Sequence, residues 1–243
     1  MLKIISYPIS VLFYIFFIFF LLVFHPIQWV CFNLFGYHAH KKSVDYLNYF
    51  LLRCTNLLGT SYTVDFETEI PKGQAVIFVS NHQSMFDIPD IIWNLRAWHP
   101  KFVSKKELGK GIPSISYNLK HGGSVLIDRK DAKQALSAIK GLGQYITEHS
   151  RSAVIFPEGT RSRDGQPKRF SENGLKMLCK YAPNALVVPI TINNSWKLTR
   201  YGNFPLGLGS SVTVSVHAPL KVKDYSFEVL FEKVEQSIKT AIK

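Results

Sequence analysis

The chain has 243 residues and is strongly basic, with 29 lysine and arginine residues against 17 aspartate and glutamate residues and a formal charge of +12. This charge favours anionic partners such as acidic lipid surfaces and phosphorylated or CoA-like substrates. Nucleic acid is disfavoured as a partner, because the sequence has no zinc-finger spacing, RNP-type aromatic pattern or basic low-complexity tail. The three cysteines have spacings that suit neither a metal site nor a disulfide framework, so we expect reduced, buried thiols.

The first long segment of the chain is apolar. Residues Ile4–Phe24 form a run of 21 residues without a charge, which as a helix would be about 31 Å long and match the hydrocarbon core of a bilayer. The run lacks the short apolar core and the small-residue cleavage site of a signal peptide. Pro26 predicts a helix break near His25. The segment therefore either spans the bilayer or forms a hairpin with Ile27–Tyr37 in one leaflet, and we expect a membrane anchor.

Beyond the anchor, the pattern changes to alternating strands and helices. Val44–Leu58 has apolar residues at helical spacing and is predicted to connect the anchor to the following domain. Apolar, β-branched runs predict strands at Tyr62–Phe66, Ala75–Ser80, Lys101–Ser104, Ser124–Asp128, Ala153–Phe156, Leu186–Ile192 and Ser211–His217. Helices are predicted at Ile88–Arg96, within Gly111–Lys120, and at Ala132–His149, Glu172–Tyr181 and Phe227–Ile242. This alternation predicts an α/β fold with a mixed, mainly parallel sheet flanked by helices, in which ligands bind beyond the carboxyl ends of the strands.

The stretch NHQSMFD places a histidine and an aspartate directly after the apolar run Ala75–Ser80. His82 would lie at the carboxyl end of a buried strand and Asp87 in the first turn of the next helix, which Ser84 is expected to cap. Chain reversal can bring the carboxylate back to the imidazole, where it would fix the tautomer and leave the other ring nitrogen free as a base. On this segment alone, a histidine that only caps the helix is an equal alternative.

The same spacing of histidine and aspartate occurs once more, in a context that does not favour catalysis. His40 and Asp45 follow the membrane segment and lie beside Lys41 and Lys42. We expect this pair to form an ordinary polar boundary near lipid headgroups. The context of a short motif, rather than its spacing, therefore decides between the two pairs.

Three further predicted strands also end in charged or hydroxyl side chains. The loop FPEGTRS follows one of them, where a glycine lets the backbone approach a ligand and an arginine offers a planar fork for phosphate. GGSVLIDR and KFVSKKEL contain the other two strands. The residues at these three strand ends are Glu158, Gly159, Thr160, Arg161 and Ser162, then Asp128 and Arg129, then Lys105 and Lys106. Together they predict one anion-binding cleft around His82.

Several other chemistries lack their sequence motifs. There is no G-x-S-x-G nucleophile elbow, Walker loop, G-x-G-x-x-G fingerprint or H-E-x-x-H motif. A base without an evident protein nucleophile suggests that the attacking group is a hydroxyl of the substrate. We expect neither a metal nor a cofactor.

These blocks resemble those of the glycerolipid acyltransferase family, in the same order along the chain. NHQSMFD resembles the N-H-x(4)-D motif of the family, FPEGTRS resembles its phosphate-binding motif, and GGSVLIDR and LVVPITI resemble its two other blocks. The resemblance covers about residues 72–192 and points to the 1-acylglycerol-3-phosphate acyltransferases. The apolar segment lies outside this resemblance; together the two observations predict a membrane anchor at residues 1–40 and an acyltransferase domain at residues 41–243.

The resemblance also implies a reaction. His82 would be the general base and Asp87 its orienter, as a fatty acyl group moves from acyl-CoA or acyl carrier protein to the 2-hydroxyl of 1-acylglycerol-3-phosphate and phosphatidic acid forms. Leu186–Ile192 would shape the acyl side. The substrate-binding residues that we predict are Lys105, Arg129, Glu158, Gly159, Thr160, Arg161 and Ser162. The expected partners are the lysophospholipid, the acyl donor and a bilayer with anionic lipids, with the domain on the cytoplasmic side of the inner membrane.

The sequence leaves other functions open. The acceptor could be a lyso-aminolipid, such as a lyso-ornithine or lyso-glycine lipid, or the protein could be a phospholipid transacylase. A different class, a membrane lipid-binding module without activity, is disfavoured because His82 and Asp87 are both present.

Overall fold

One eight-stranded sheet organises residues 2–243, the part of the chain that this computed structural model describes. Its strands are β1 (Ser61–Phe66), β2 (Val76–Ser80), β3 (Pro100–Lys105), β4 (Val125–Ile127), β5 (Ser152–Ile155), β6 (Leu186–Asn193), β7 (Ser211–Val216) and β8 (Leu220–Lys221). The order across the sheet is β1-β7-β6-β2-β5-β3-β4, and β8 pairs with β6. Strands β2 to β6 are mutually parallel, whereas β7 and β8 are antiparallel to β6. The predicted mixed, mainly parallel sheet is confirmed, and only the short β8 was not predicted.

Helices cover both faces of the sheet. They are α1 (Leu2–Asn56), α2 (Asp87–Asn94), α3 (Ile115–His121), α4 (Ala132–His149), α5 (Glu172–Tyr181) and α6 (Phe227–Thr240). Four short 3-10 helices lie at Arg96–Trp98, Lys106–Gly109, Ser195–Thr199 and Val222–Asp224. The helices that helical spacing predicted beyond residue 87 are confirmed, with α4 and α5 at the predicted bounds.

The sequence of β2 shows why the sheet is covered on both sides. All five residues of this strand are buried, as is typical of a central parallel strand. Val76 and Phe78 face a core that includes residues of α1 and α2, while Ile77 and Val79 face a second core with α4, α5 and α6. The carboxyl ends of β2 to β6 consequently meet at one edge of the sheet, which we call the carboxyl edge. The opposite edge is the amino edge.

Helix α1 breaks at Gly36, not near His25 as Pro26 predicted. The helix continues through Pro8 and Pro26, and the non-helical backbone is at Gly36, with φ 75° and ψ −167°. Pro26 is on the exposed side of the helix, so its ring does not disturb the packing of the helix against the domain. The φ/ψ combination at Gly36 is accessible almost only to glycine, which therefore sets the turn. We call residues 2–35 the apolar arm and residues 37–56 the linking arm.

The two arms form a helical hairpin, so the alternative in which residues 4–24 pair with residues 27–37 is wrong. Phe20 of the apolar arm stacks on Phe50 of the linking arm, with ring centroids 4.7 Å apart. Leu21 and Phe24 form a small buried cluster with Leu47 of the linking arm. The linking arm confirms the helix that was predicted at Val44–Leu58. Apolar packing between the arms thus fixes the direction in which the chain returns.

Gly36 at the kink and Gly141 in α4 provide a matched pair of substitutions with opposite expected effects on the free energy of unfolding. Gly36→Ala should lower the free energy of unfolding by about 1–3 kcal/mol, because alanine rarely adopts the Gly36 conformation. Gly141 lies inside α4, and a Cβ there would meet nothing within 4 Å. Gly141→Ala should raise the free energy of unfolding by about 0.5–1 kcal/mol, because alanine favours the helix. Denaturant unfolding of both variants in detergent measures this, and equal stability of Gly36→Ala and wild type would contradict the role of Gly36.

Candidate active site

A histidine and an aspartate meet at the carboxyl edge of the sheet. His82 is the second residue after β2, and Asp87 is the first residue of α2. The turn between them brings His82 Nδ1 to 2.8 Å from Asp87 Oδ2. The Asp87 side chain is fully buried, whereas 16% of the His82 side chain is exposed. The predicted contact between the two side chains is therefore present.

The Asp87 carboxylate accepts hydrogen bonds from several parts of the chain. Besides the imidazole, Oδ2 accepts the backbone N–H groups of Gln83 at 2.7 Å and Ser84 at 2.9 Å. Oδ1 accepts the hydroxyl of Ser195, which follows β6. Because every partner donates, the arrangement stabilises the ionised carboxylate.

The predicted cap of α2 by Ser84 is wrong. Phe86 is the N-cap residue and makes no side-chain cap hydrogen bond. The Ser84 hydroxyl instead accepts the N–H of Phe86 at 3.3 Å, inside the turn. The reason is local: the side chain of Asp87 reaches back to the turn and satisfies the N–H groups that precede the helix.

The orientation of the imidazole follows from these contacts. Nδ1 donates its hydrogen to Asp87, so the Nε2 lone pair is free, and Nε2 has no protein partner among residues 2–243. The ring stacks on Phe156, with centroids 4.1 Å apart and planes 19° apart. Phe156 follows β5 immediately, so the strand next to β2 supplies one wall for the base.

Two amides attach the turn to its surroundings. The Asn81 side chain donates to the carbonyl of Ile192 at 2.8 Å and accepts the N–H of the same residue at 2.7 Å. The Gln83 amide donates to the carbonyl of Gly165 at 3.2 Å. The residues around His82 are thus fixed to β6 on one side and to the loop after β5 on the other.

The FPEGTRS loop lies against the histidine turn. Glu158 is buried and bridges the two segments, because Oε1 accepts the N–H of His82 at 2.7 Å and Oε2 accepts the N–H of Lys168 at 2.8 Å. Burial raises the pKa of Glu158, while the two N–H donors lower it. The N–H of Ser162 donates to the carbonyl of His82 at 2.8 Å. Glu158 therefore positions the loop and has no free carboxylate oxygen in this arrangement.

The tip of this loop is open to solvent. Gly159 has φ 67°, and a Cβ built there would meet nothing within 4 Å. Thr160 and Arg161 are exposed, and the Lys168 ammonium donates to the carbonyl of Arg161 at 3.0 Å. Ser162 is buried, with a hydroxyl that has no partner among residues 2–243. The open space at Gly159 and the donor groups of Arg161 and Ser162 therefore allow a ligand to approach the loop closely.

The remaining predicted binding residues lie farther along the same edge. Lys105 ends β3 and Arg129 follows β4, and both side chains are exposed. Since β3 and β4 come after β5 in the sheet order, they extend the positive edge away from His82. No hydrogen bond or ion pair within residues 2–243 links either side chain to His82 or Asp87, so their role in binding stays a prediction.

Sequence reasoning missed three residues that build the site: Ser195, Phe156 and Asn81. Ser195 follows a predicted strand, but its contact with Asp87 depends on the strand order, which the sequence did not provide. Phe156 was counted as strand, although it is the first residue beyond β5. The pairing of Asn81 with Ile192 depends on the strand order, which the sequence did not provide.

The second pair, His40 and Asp45, does not form a histidine–aspartate contact, and its expected position near lipid headgroups stays a prediction. His40 is fully buried, and Asp45 is 8% exposed. Both lie in one helix, where five positions correspond to about 140° around the axis, so the side chains diverge. Asp45 pairs with Lys41 at 2.5 Å instead. Burial, followed by Lys101 and His121, lowers the pKa of His40 to about 4.

Comparisons with known proteins agree with this geometry. Residues 61–193, more than half of the chain, match the protein family described as Acyltransferase. A 1-acyl-sn-glycerol-3-phosphate acyltransferase of Helicobacter pylori is 38% identical over 135 residues, which are 52% of this chain and 54% of that protein. A protein of the same name from Borreliella burgdorferi is 28% identical over 186 residues, 75% of this chain and 72% of that protein. The chain thus spans about half the length of the Helicobacter protein in the alignment.

A solved structure extends the likeness to the whole fold. The crystal structure of the 1-acyl-sn-glycerophosphate acyltransferase PlsC from Thermotoga maritima superposes with a TM-score of 0.78 at 25% identity. The superposition covers 99% of this chain and 95% of that one. The family match contains both His82 and Asp87 and the whole FPEGTRS loop. This chain belongs to the acyltransferase family.

Proposed function

We propose that the protein transfers a fatty acyl group to the 2-hydroxyl of 1-acylglycerol-3-phosphate and so forms phosphatidic acid. The donor would be the thioester of acyl-CoA or acyl carrier protein. The observation that carries the proposal is the His82–Asp87 pair, with its free Nε2 beside a basic loop. The relatives from Helicobacter and Thermotoga, which carry this activity in their names, support the choice of acceptor.

The geometry suits deprotonation of a substrate hydroxyl. His82 Nε2 accepts the hydroxyl proton while the oxygen attacks the thioester carbonyl carbon. Asp87 accepts the Nδ1 hydrogen throughout, which fixes the tautomer and stabilises the imidazolium that forms. When the tetrahedral intermediate collapses, the carbon–sulfur bond breaks and the imidazolium returns the proton to the leaving sulfur. A thioester is already activated, so the reaction needs no covalent enzyme intermediate.

The basic loop suits the phosphate of the acceptor. Arg161 is exposed at the loop tip, and its guanidinium can bind two phosphate oxygens at once. Gly159 leaves open space beside the backbone, and Glu158 and Ser162 join the loop to the backbone of His82. A phosphate bound here would lie close to the base, as the short glycerol backbone of the acceptor requires.

The apolar arm suits attachment to one leaflet of the bilayer. The arm is long and apolar enough to cross a membrane, but it also contacts the domain at several points along its length. Ser10 Oγ accepts the N–H of Leu206 at 2.8 Å, and Asn33 bonds the Tyr117 hydroxyl at 3.0 Å. These contacts are roughly 35 Å apart along the helix. A helix held along the domain in this way can lie in the interface on the cytoplasmic side, with its outer face in the lipid.

Loss of the base tests the enzyme assignment. His82→Ala should lower kcat by about 10²–10⁴-fold, because proton transfer in the transition state loses its acceptor. His149→Ala, at an exposed position at the end of α4, is the matched control and should keep wild-type turnover. The measurement is product analysis with one acyl donor and a panel of lysolipids, which also identifies the acceptor. Turnover of His82→Ala within a few-fold of wild type would rule out His82 as the base.

The loop arginine tests the phosphate site. Arg161→Ala should raise the KM of the acceptor far more than that of the donor, with a loss on the order of 10–150-fold in kcat/KM. Arg161→Lys should recover only part of this, since an ammonium keeps the charge but loses the planar fork. Lys223→Ala, an exposed charge near the carboxyl terminus, controls for overall charge. A rise confined to the donor KM would assign Arg161 to the acyl donor.

The outer face of the apolar arm tests membrane attachment. Phe16 is 41% exposed and Phe19 is 53% exposed, and burial of each ring in lipid should contribute about 1.5–3 kcal/mol. The double variant Phe16→Glu, Phe19→Glu should therefore move from the membrane to the soluble fraction at high salt. Val229→Glu, at a 44% exposed site on α6, should stay on the membrane. Equal membrane retention of the double variant and wild type would show that this face does not bind lipid.

A further inference from the structure

A second group of basic side chains lies at the amino edge of the sheet, away from His82. We call it the amino-edge cluster and define it as Tyr37, His40, Lys41, Lys101 and Arg151. Arg151 immediately precedes β5, whose carboxyl end leads to Phe156 beside the catalytic imidazole. The four residues of β5 lie between Arg151 and Phe156, and a step of five positions along a strand places the two residues roughly 16 Å apart. The cluster is therefore a feature separate from the acyltransferase site.

Lys101 is the most unusual member of the cluster. It is only 6% exposed, and among residues 2–243 its ammonium has neither a hydrogen-bond acceptor nor a carboxylate at ion-pair distance. Its nitrogen lies 4.9 Å from the centre of the Tyr37 ring. Burial, followed by the charges of Arg151 and Lys41, lowers the pKa of Lys101 to about 7, although the charge of Asp45 acts in the opposite direction. A buried cation beside other cations is unfavourable unless an anion joins it.

The other side chains of the cluster do not provide that anion. The Arg151 guanidinium stacks on Tyr37 at 3.6 Å, and the Tyr37 hydroxyl is fixed by His99 Nδ1 at 3.0 Å. Asp45 is the one carboxylate close by, and it lines the same small cavity as His40 and Lys101. Its charge raises the pKa of Lys101, but its Oδ2 is paired with Lys41 at 2.5 Å and it is not at ion-pair distance from Lys101. Two cations, Lys101 and Arg151, consequently share one tyrosine ring without a carboxylate partner of their own.

His40 adds a donor that lacks an acceptor. It is fully buried, and neither ring nitrogen has a partner among residues 2–243. Because its pKa is about 4, the ring is neutral near pH 7 and one nitrogen carries a hydrogen. His40 and Lys101 both line one small cavity of about 20 Å³. This volume accommodates a single oxygen atom or water, but not a whole oxyanion.

The location of the cluster indicates where such an anion could come from. Tyr37 follows Gly36 directly, where the apolar arm ends. The last two residues of that arm, Leu34 and Phe35, are 68% and 70% exposed. If the outer face of the arm lies in lipid, the cluster lies at the depth of the headgroups, where phosphates are abundant.

We propose that the amino-edge cluster is a phosphate-binding site separate from the acyltransferase centre, with one phosphate oxygen directed between the Lys101 ammonium and the His40 imidazole. Arg151 binds the outer oxygens. The phosphate belongs to an anionic phospholipid headgroup or to free phosphate, since both present the same group to the site. Binding here ties the kink between the two arms to the sheet and gives the buried cations their missing anion.

Thermal unfolding of the full-length protein in detergent tests the site with inorganic phosphate as the probe. Phosphate should raise the Tm of wild type, because a ligand that binds only the folded state stabilises it. Lys101→Met keeps the volume and removes the charge, and its apparent phosphate affinity should fall on the order of tenfold or more. Arg161→Ala removes the proposed acceptor site and should keep the Tm shift that comes from the amino-edge cluster. Equal phosphate-dependent shifts in Lys101→Met and wild type overturn the proposal.

A second variant covers the case in which Lys101→Met does not fold. Arg151→Gln changes a half-buried side chain and should show the same loss of the phosphate-dependent shift. An unchanged shift in Arg151→Gln would equally overturn the proposal. Neither measurement uses acyl transfer, so their outcome is independent of the proposed reaction.

Vesicle binding distinguishes the two sources of phosphate. Sedimentation with phosphatidylcholine vesicles is compared with and without phosphatidylglycerol, for wild type, Lys101→Met and the charge control Lys223→Met. If the ligand is a headgroup, Lys101→Met loses most of the phosphatidylglycerol-dependent binding and Lys223→Met keeps it. If the ligand is free phosphate, the three proteins bind alike while the Tm shift still depends on Lys101. Absence of both effects refutes the site.

Discussion

The ionised carboxylate of Asp87 is the interaction on which the candidate site depends. It joins three parts of the chain: the imidazole and backbone of the turn after β2, the first turn of α2, and the Ser195 hydroxyl after β6. Removing any one donor would leave the others, but removing the carboxylate would leave several buried donors without an acceptor. The same group therefore shapes the turn and orients His82. Structure and chemistry cannot be separated at this position.

A second aspartate on the same helix shows what the donors contribute. Asp90 is one turn farther along α2 and is also buried, but only Asn94 donates to it, and Oδ2 has no partner among residues 2–243. Burial, followed by the charge of Asp87, raises the pKa of Asp90 to about 7, although the hydrogen bond from Asn94 lowers it. The two carboxyl groups in one helix thus differ in their partners, because Asp87 meets a set of converging donors and Asp90 meets one. The converging donors hold the Asp87 carboxylate at the position where it contacts His82 Nδ1.

Much of the fold was predictable because its physical causes are local. Apolar runs bounded by turn residues gave the central strands, and helical spacing gave α4 and α5 to the residue. Contacts that depend on strand order were not predictable, among them Ser195 on Asp87 and Asn81 on Ile192. The kink was misplaced because proline is the stronger general helix breaker, whereas the backbone conformation at Gly36 is settled by how the arms pack. The burial of His40 was not predicted, because it arises from tertiary packing.

The apolar arm and the turn that carries His82 are in direct contact, so the proposed lipid attachment and the proposed chemistry depend on one packed contact. Phe86, the residue before Asp87, meets Phe13 of the arm edge to face at 5.6 Å and Phe17 at 6.3 Å. Phe13 is fully buried, so the arm supplies part of the core beneath the turn and is more than an appended anchor. Deleting the arm would consequently disturb the turn as well as membrane binding. A lipid acceptor bound at the surface next to the apolar arm would reach His82, the proposed base. The apolar arm also supports the turn that carries His82.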